Sequence, residues 1–180
     1  MKLLAVLFVA VWASSALAEV DASMRVADPD SLIYAIVKAE NPWLDAKKVG
    51  DRNLYHKAFG LLQVRKPYLD DVNRIVGRKD MMRMWGKQRL TTEDMKDKDR
   101  AVWATKVYLT YYGKVYEDET GKKVTPEVYA RIHNGGPSGW KKWVTKSYWH
   151  KVRSRMAESF LARNVSEDAD ADTVTWKKAG

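Results

Sequence analysis

Two carboxylates, Glu40 and Asp51, stand eleven positions apart across what reads as a helix end and a turning loop. Ile33, Ile36, Val37 and Glu40 recur at the spacing of one helix face, so an apolar stripe ends in a carboxylate aimed toward the core. Pro42 pushes Asn41 out of the α region and leaves Glu40 in the last turn. There the negative end of the helix dipole and partial burial both disfavour the charged form, a setting that suits a general acid. A structural Glu paired with Lys38 or Arg52 would occupy the same place without any chemistry. Asp51 follows Gly50, where an Asx turn is the ordinary local expectation. A second carboxylate about 5 Å from an acid is also what a retaining glycosidase uses as its nucleophile. The other candidate constellation is Ile132-His133-Asn134-Gly135-Gly136-Pro137. Its two glycines let a ligand approach the backbone, and Asn134 can hydrogen-bond an acetamido group or a ring hydroxyl. By local chemistry alone the same run is a helix C-cap followed by a turn.

The elements that must position these groups are mostly helices. Asp28-Pro29-Asp30-Ser31 supplies N-cap residues for the helix that ends at Glu40. Helical periodicity then lapses: Val49 to Asn53 has turn chemistry, and Phe59 to Val64 reads as a short strand or buried segment, so a small irregular β-hairpin is expected. Pro67 opens a second helix with Leu69, Val72, Ile75 and Val76 on one face and Gly77 as its stop. Within 80–90 the run MMRMW predicts a short helix that fills core space with methionine. Ala101 to Val115, apolar on two flanks, predicts a central packed helix, with a polar loop over Asp118 to Lys123. Thr125-Pro126-Glu127 caps the helix that leads into His133, and Tyr148, Trp149, Val152, Met156 and Phe160 line a last one.

The first 18 of the 180 residues carry one lysine, an apolar run and an Ala16-Leu17-Ala18 ending, which together read as a secretory signal. No later stretch approaches the roughly 20 apolar residues of a transmembrane helix. The expected organisation is a signal peptide over 1–18, a mobile leader over 19–27, one domain over 28–163 and a disordered acidic tail over 164–180, in an exported monomer. Asn164-Val165-Ser166 is a glycosylation sequon in a eukaryotic source. The formal net charge of +9 favours an anionic partner, such as nucleic acid, an acidic membrane or an anionic cell-wall polymer. No nucleic-acid-binding motif stands out, so no nucleic-acid partner is expected. Eight Trp and nine Tyr can stack on sugars but more commonly pack a core. With no cysteine the domain must hold by packing, and His56, His133 and His150 have no second ligand at helical spacing, so neither a metal nor a cofactor is expected.

The run ARIHNGGPSGW and the TKSYWHKV that follows it resemble the closing motif of invertebrate-type lysozymes, an AR-HNGGP-G element followed by a T-YW-V element. Upstream, Glu40, Val49-Gly50-Asp51 and FGLLQVRKPYLDD resemble that family's acid, nucleophile and G-FQIKEPYW-D segment in order and spacing, so the likeness runs from about Leu32 to Val152. The resemblance implies a mainly α (α+β lysozyme-like) fold, a helical domain with a small hairpin lining a substrate cleft. It implies a secreted enzyme that cleaves peptidoglycan or chitooligosaccharide, with Glu40 as proton donor and Asp51 as nucleophile or stabiliser. Gln63, Lys66, Tyr68, His133, Asn134 and Gly135 then match substrate-binding positions. The family is normally rich in disulfides, so a chain without cysteine resembles a cysteine-free variant of it.

AFGLLQ downstream of a glutamate also resembles the soluble lytic transglycosylases, which work with a single catalytic glutamate, here Glu40. A third reading, from a different class, is a cationic wall-binding or nucleic-acid-binding protein that keeps the fold without the chemistry.

Overall fold

The first apolar stripe folds as expected: helix α1 (Pro29–Glu40) buries Leu32, Ile33, Ala35, Ile36, Val37 and Ala39. Its last turn carries Glu40. Asn41 is fully buried, takes the next helical bond from its backbone N to the Val37 carbonyl at 2.7 Å, and clamps the following turn with its side chain. The amide Nδ2 donates to the Asp45 carbonyl at 2.6 Å, while Oδ1 accepts from the Asp45 backbone N at 3.3 Å. The computed structural model describes residues 29–159 except 52, 54 and 56. The expected signal, leader and acidic tail, together with Arg52, His56, Phe160 and the sequon at Asn164, lie outside the described residues.

After the clamp come three two-residue strands, β1 (Val49–Gly50), β2 (Ala58–Phe59) and β3 (Val64–Arg65), paired antiparallel in that order. The register sets Val49 opposite Phe59 and Phe59 opposite Val64. Phe59 to Val64 is therefore not one strand but two strand ends with a turn between them. The turn forms because Gly60 takes φ +75°, and a Cβ there would meet the Met95 carbonyl oxygen at 1.9 Å. Helix α2 (Lys66–Val76) has Pro67 in its first turn and buries Tyr68, Leu69 and Val72. Helix α3 (Arg78–Trp85) buries only Met81, whereas Met82 and Met84 are exposed, so MMRMW fills the core through one methionine rather than three.

A 3-10 turn over Glu93–Lys96 leads into the longest helix, α4 (Lys98–Thr120), whose start Asp97 caps by accepting from the Arg100 backbone N at 3.0 Å. It runs 5 residues past the expected end at Val115, because Tyr116 is buried against Trp140, Lys114 pairs with Asp118 one turn on and Gly121 supplies the left-handed cap. The first half of the expected loop, residues 118–120, is therefore helix, and the second half is a loop as expected. Helix α4 packs against α2 on one flank and against α5 (Pro126–Gly135) on the other, where Gly113 lets the Tyr129 ring lie close. Two further 3-10 turns, Gly139–Lys141 and Trp143–Thr145, lead to α6 over 146–159, which buries Tyr148, Trp149, Val152 and Met156. The architecture is mainly α with a small antiparallel sheet at one end. No helix among the described residues is long and apolar enough to cross a membrane.

Two glycines separate crowding from backbone strain. Gly77, at φ +76°, has nothing within 4 Å of where a Cβ would stand. Gly60→Ala should lower the unfolding free energy by about 2–4 kcal/mol, from the clash and the strained φ together, while Gly77→Ala should cost only the strain, about 1 kcal/mol. Urea unfolding of the two variants checks the difference, and equal losses would contradict the close approach at Gly60.

Candidate active site

One cleft of about 720 Å³ gathers residues from α1, all three strands, α2, α4 and α5. Glu40, Asp51, Gln63, Tyr68, His133, Asn134 and Gly135 line it, together with Gly50, Arg65, Pro67, Tyr108 and Asp71. Six polar or charged candidates and one glycine, spread over nearly a hundred positions of chain, are thus brought to one wall system.

Glu40 reaches the cleft because α1 stops there, and its side chain keeps 21% of its exposure. Lys38, a candidate partner for it, instead lies over the Tyr34 ring at 5.7 Å. The groups that do face Glu40 are His133, whose Nε2 is 3.9 Å from Oε1, and Tyr148 from α6. Burial, followed by the neighbouring Glu40 carboxylate, pushes the Tyr148 phenol well above the ordinary tyrosine value, and its buried hydroxyl has no hydrogen-bond partner among the described residues. His133 is buried at the wall of the cleft. Burial pushes its pKa below the ordinary histidine value against smaller opposing pulls from Glu40 and from a hydrogen bond to the Leu62 backbone.

The floor is a row of rings. Tyr68 stacks on Tyr108 with centroids 3.5 Å apart and planes at 16°, and meets His133 edge-on at 5.6 Å. Tyr108 continues to Tyr112 at 4.6 Å, whose hydroxyl donates to Asp71 at 2.8 Å. Burial and that bond push the Tyr112 phenol up to about 12. Aromatic faces backed by carboxylates suit a sugar ring, which offers C–H groups to the faces and hydroxyls to the edges.

The hairpin supplies the opposite lip. Asp51 sits at φ 52°, an uncommon conformation for a residue with a side chain, and its Oδ2 pairs with Arg65 Nη2 across the sheet. Gln63, at φ 48°, lays its side chain across β1, with Nε2 donating to the Gly60 carbonyl at 2.7 Å. A Cβ on Gly50 would fall 2.0 Å from Gln63 Oε1, so glycine is what lets the two strands close here. The α5 loop is held from behind. Thr145, 1% exposed, shares its one hydroxyl proton between the Gly139 and Lys142 carbonyls at 2.8 and 2.7 Å and accepts from Arg131 Nε at 3.0 Å.

Lys66 is the candidate that does not reach the cleft. It is the first residue of α2, exposed, and its ammonium bonds Asp70 one turn on at 2.5 Å. The neighbouring Arg65 lines the cleft in its place, since an extended residue and the helical residue after it point in different directions. Sequence reasoning missed Arg65, Asp71, Tyr108, Lys48 and Lys142 as lining residues and placed Tyr148 only on a core face. The YW pair after the glycine motif was the available sign for Tyr148; the others had none, because charged residues scattered through the chain look alike until the fold collects them.

Comparison with known proteins places these observations beside lysozymes. No family model matches the chain. A stretch of 44 residues is 46% identical to a lysozyme of Magallana gigas, covering 24% of this chain and 32% of that protein. The chain thus matches about a third of the length of that curated relative. Among solved structures, the Tapes japonica lysozyme is similar with a TM-score of 0.49 and 20% identity, over 69% of this chain and 87% of that one. A chain of the crystal structure of Aeromonas hydrophila PliI in complex with Meretrix lusoria lysozyme gives 0.48 and 21%, over 68% and 85%. The similarity is to invertebrate lysozymes, the family that the motifs resemble.

The enclosure of His133 has a measurable consequence. Its folded value lies below the unfolded one, so the unfolded chain binds the extra proton first and stability falls as pH drops below about 6.5. The loss approaches about 1.4 kcal/mol per pH unit until the folded value is passed. Urea midpoints measured between pH 7.5 and 5 should show this slope in the native chain and a flatter one in His133→Gln.

Proposed function

We propose that this chain is a secreted glycoside hydrolase of lysozyme type that cleaves the β-1,4 bond between N-acetylmuramic acid and N-acetylglucosamine in peptidoglycan. The observation that carries this reading is the placing of a half-enclosed glutamate and an aspartate on the walls of one cleft floored by stacked tyrosines. The partial identity to an oyster lysozyme supports the same reaction class.

In this reading Glu40, protonated, gives its proton to the glycosidic oxygen as the bond breaks. His133 is kept neutral by burial and so makes no full ion pair with Glu40, which leaves that carboxyl free to exchange a proton with substrate. The buried Tyr148 hydroxyl, beside Glu40 and without a hydrogen-bond partner among the described residues, is available to donate to that carboxyl and orient it. Positive charge develops on the anomeric carbon. Asp51 meets it through Oδ1, because Arg65 holds Oδ2, and either attacks or stabilises it. Water then enters, Glu40 takes its proton, and a reducing end is left. The Arg65 pairing also gives a second reading its support: with Asp51 so engaged, Glu40 would act alone, the sugar would close on itself, and a 1,6-anhydro end would result.

Purified cell walls separate the two. Glu40→Gln should reduce clearing by a hundredfold or more, since it removes the proton donor. Asp51→Asn should lose a similar amount with the fold intact, and the double variant should be little worse than either single, as expected of residues acting as a unit. Mass spectrometry should find reducing ends. Anhydro ends with a near-normal Asp51→Asn would move the chain to the single-glutamate reaction, and undiminished clearing by Glu40→Gln would remove the site altogether.

The charge balance adds a prediction. With a net charge of +9, attraction to an anionic wall is expected to be long-ranged. Raising salt from 0.1 to 1 M shortens the Debye length from about 10 to about 3 Å. Clearing of whole cells should then fall severalfold, and cleavage of a short neutral chitooligosaccharide much less. Equal loss on both would count against electrostatic targeting.

A further inference from the structure

Two helices, α1 and α5, end at the cleft, and both present it with the negative end of a helix dipole. Together with the carboxylates of Glu40, Asp51 and Asp71 this would make the cleft hostile to an acidic ligand. The chain counters each helix end with a lysine. Lys48 Nζ donates to the Glu40 backbone carbonyl at 2.6 Å, and Lys142 Nζ donates to the Gly135 backbone carbonyl at 2.6 Å. Both line the cleft. Of the other charged lining residues, Asp51 pairs with Arg65 and Asp71 with Arg74, while Glu40 faces the buried His133. Lys48 and Lys142 make no ion pair among the described residues, and each ammonium has three donors, of which a backbone carbonyl takes one.

We propose that Lys48 and Lys142 form a carboxylate-reading pair, which makes the protein's preferred ligand an acidic amino-sugar glycan rather than a neutral one. This rests on the hydrolase reading for the identity of the glycan and deepens it. An ammonium anchored by one bond at a helix C-terminus is held in place, and its two remaining donors form charge-assisted bonds to a carboxylate with little further ordering. Two such groups on different walls, one beside the acid at the end of α1 and one on the loop after α5, read charge at two points along a bound chain. In peptidoglycan the carboxylates come from the lactyl group of muramic acid where the peptide is absent and from the stem peptide where it is present.

The test uses four fragments of the same glycan length: a peptide-free muramic acid oligomer, a peptide-bearing one, and each of these with its carboxylates converted to amides. Affinities are measured calorimetrically on the full chain carrying Glu40→Gln, so that cleavage does not interfere, and turnover is measured with Glu40 present. The expected result is that acidic fragments bind about tenfold or more tightly than their amides, and that Lys48→Gln and Lys142→Gln each reduce this ratio severalfold while Lys→Arg at the same positions restores it. A preference confined to the peptide-free oligomer assigns the lactyl carboxylate; one confined to the peptide-bearing fragment assigns the stem. Thermal unfolding of each variant, Glu40→Gln included, excludes loss of fold as the cause, and the comparison of fragments with both lysines unaltered needs no lysine variant to fold. Equal affinity for acidic and amidated fragments, or a ratio that both glutamine variants retain, overturns the proposal and leaves the hydrolase reading standing. Absence of turnover with Glu40 present overturns the hydrolase reading, and the binding ratio still decides whether the lysines read carboxylates.

Discussion

A chain without cysteine has to hold two glycine-containing loops against a helical core by other means, and here it does so with polar side chains taken out of water. Asn41, 0% exposed, spends both ends of its amide on the Asp45 backbone, and Thr145, 1% exposed, ties the loop after α5 to itself and to Arg131. Such groups are costly to bury unless every donor and acceptor is met, and once met they permit few alternatives. The site depends on this. Asn41 sets where α1 ends and therefore where Glu40 stands; Thr145 sets the distance at which Gly135 and Asn134 face it. A Cβ on Gly135 would meet Thr145 Cγ2 at 2.6 Å, so motif and clamp fit only as a pair.

Electrostatics in the cleft follows from the same construction. Two helix C-termini converge, which is an unfavourable meeting of like partial charges, and the two capping lysines relieve it. The buried imidazole stays neutral and adds no charge of its own. The result is a concave surface where acid, cations and aromatic faces lie close together without cancelling one another. That combination requires a scaffold, because none of these groups would hold its place on a free loop.

How much of this was legible in the sequence varies with the length of the signal. Helix α1 and its stop at Glu40, α2 between Pro67 and Gly77, and α5 after Thr125-Pro126 were readable because periodicity and caps agree over two turns or more. Strands two residues long have no period to detect, so only a hairpin of unspecified pairing could be expected, and of the two readings open for Phe59 to Val64 the buried segment holds while a single strand does not. Helix α4 outran its apolar stripe because one buried ring, Tyr116, an ion pair from Lys114 to Asp118 and the Gly121 cap carry its end. The glycine motif and the two carboxylates were found by residue type. The lining residues Lys48, Arg65, Asp71 and Lys142 were not, since a surface cation differs from a cleft cation only in what the fold puts beside it.

Asp51 and Gln63 share one more property. Both have left-handed backbones, both carry side chains that such a backbone disfavours, and both line the cleft. Glycine would relieve either position, by about 1 kcal/mol each, and asparagine would sit more easily than glutamine at Gln63. A lineage drifting under selection for folding alone would lose both residues wherever this relief exceeds what the exposed Asp51–Arg65 pair and the Gln63 bond to the Gly60 carbonyl return. Their persistence in a chain would therefore record selection on the cleft rather than on the fold. Decay of these two positions, with the helices unchanged, would be the first trace left in any descendant that had given up the reaction.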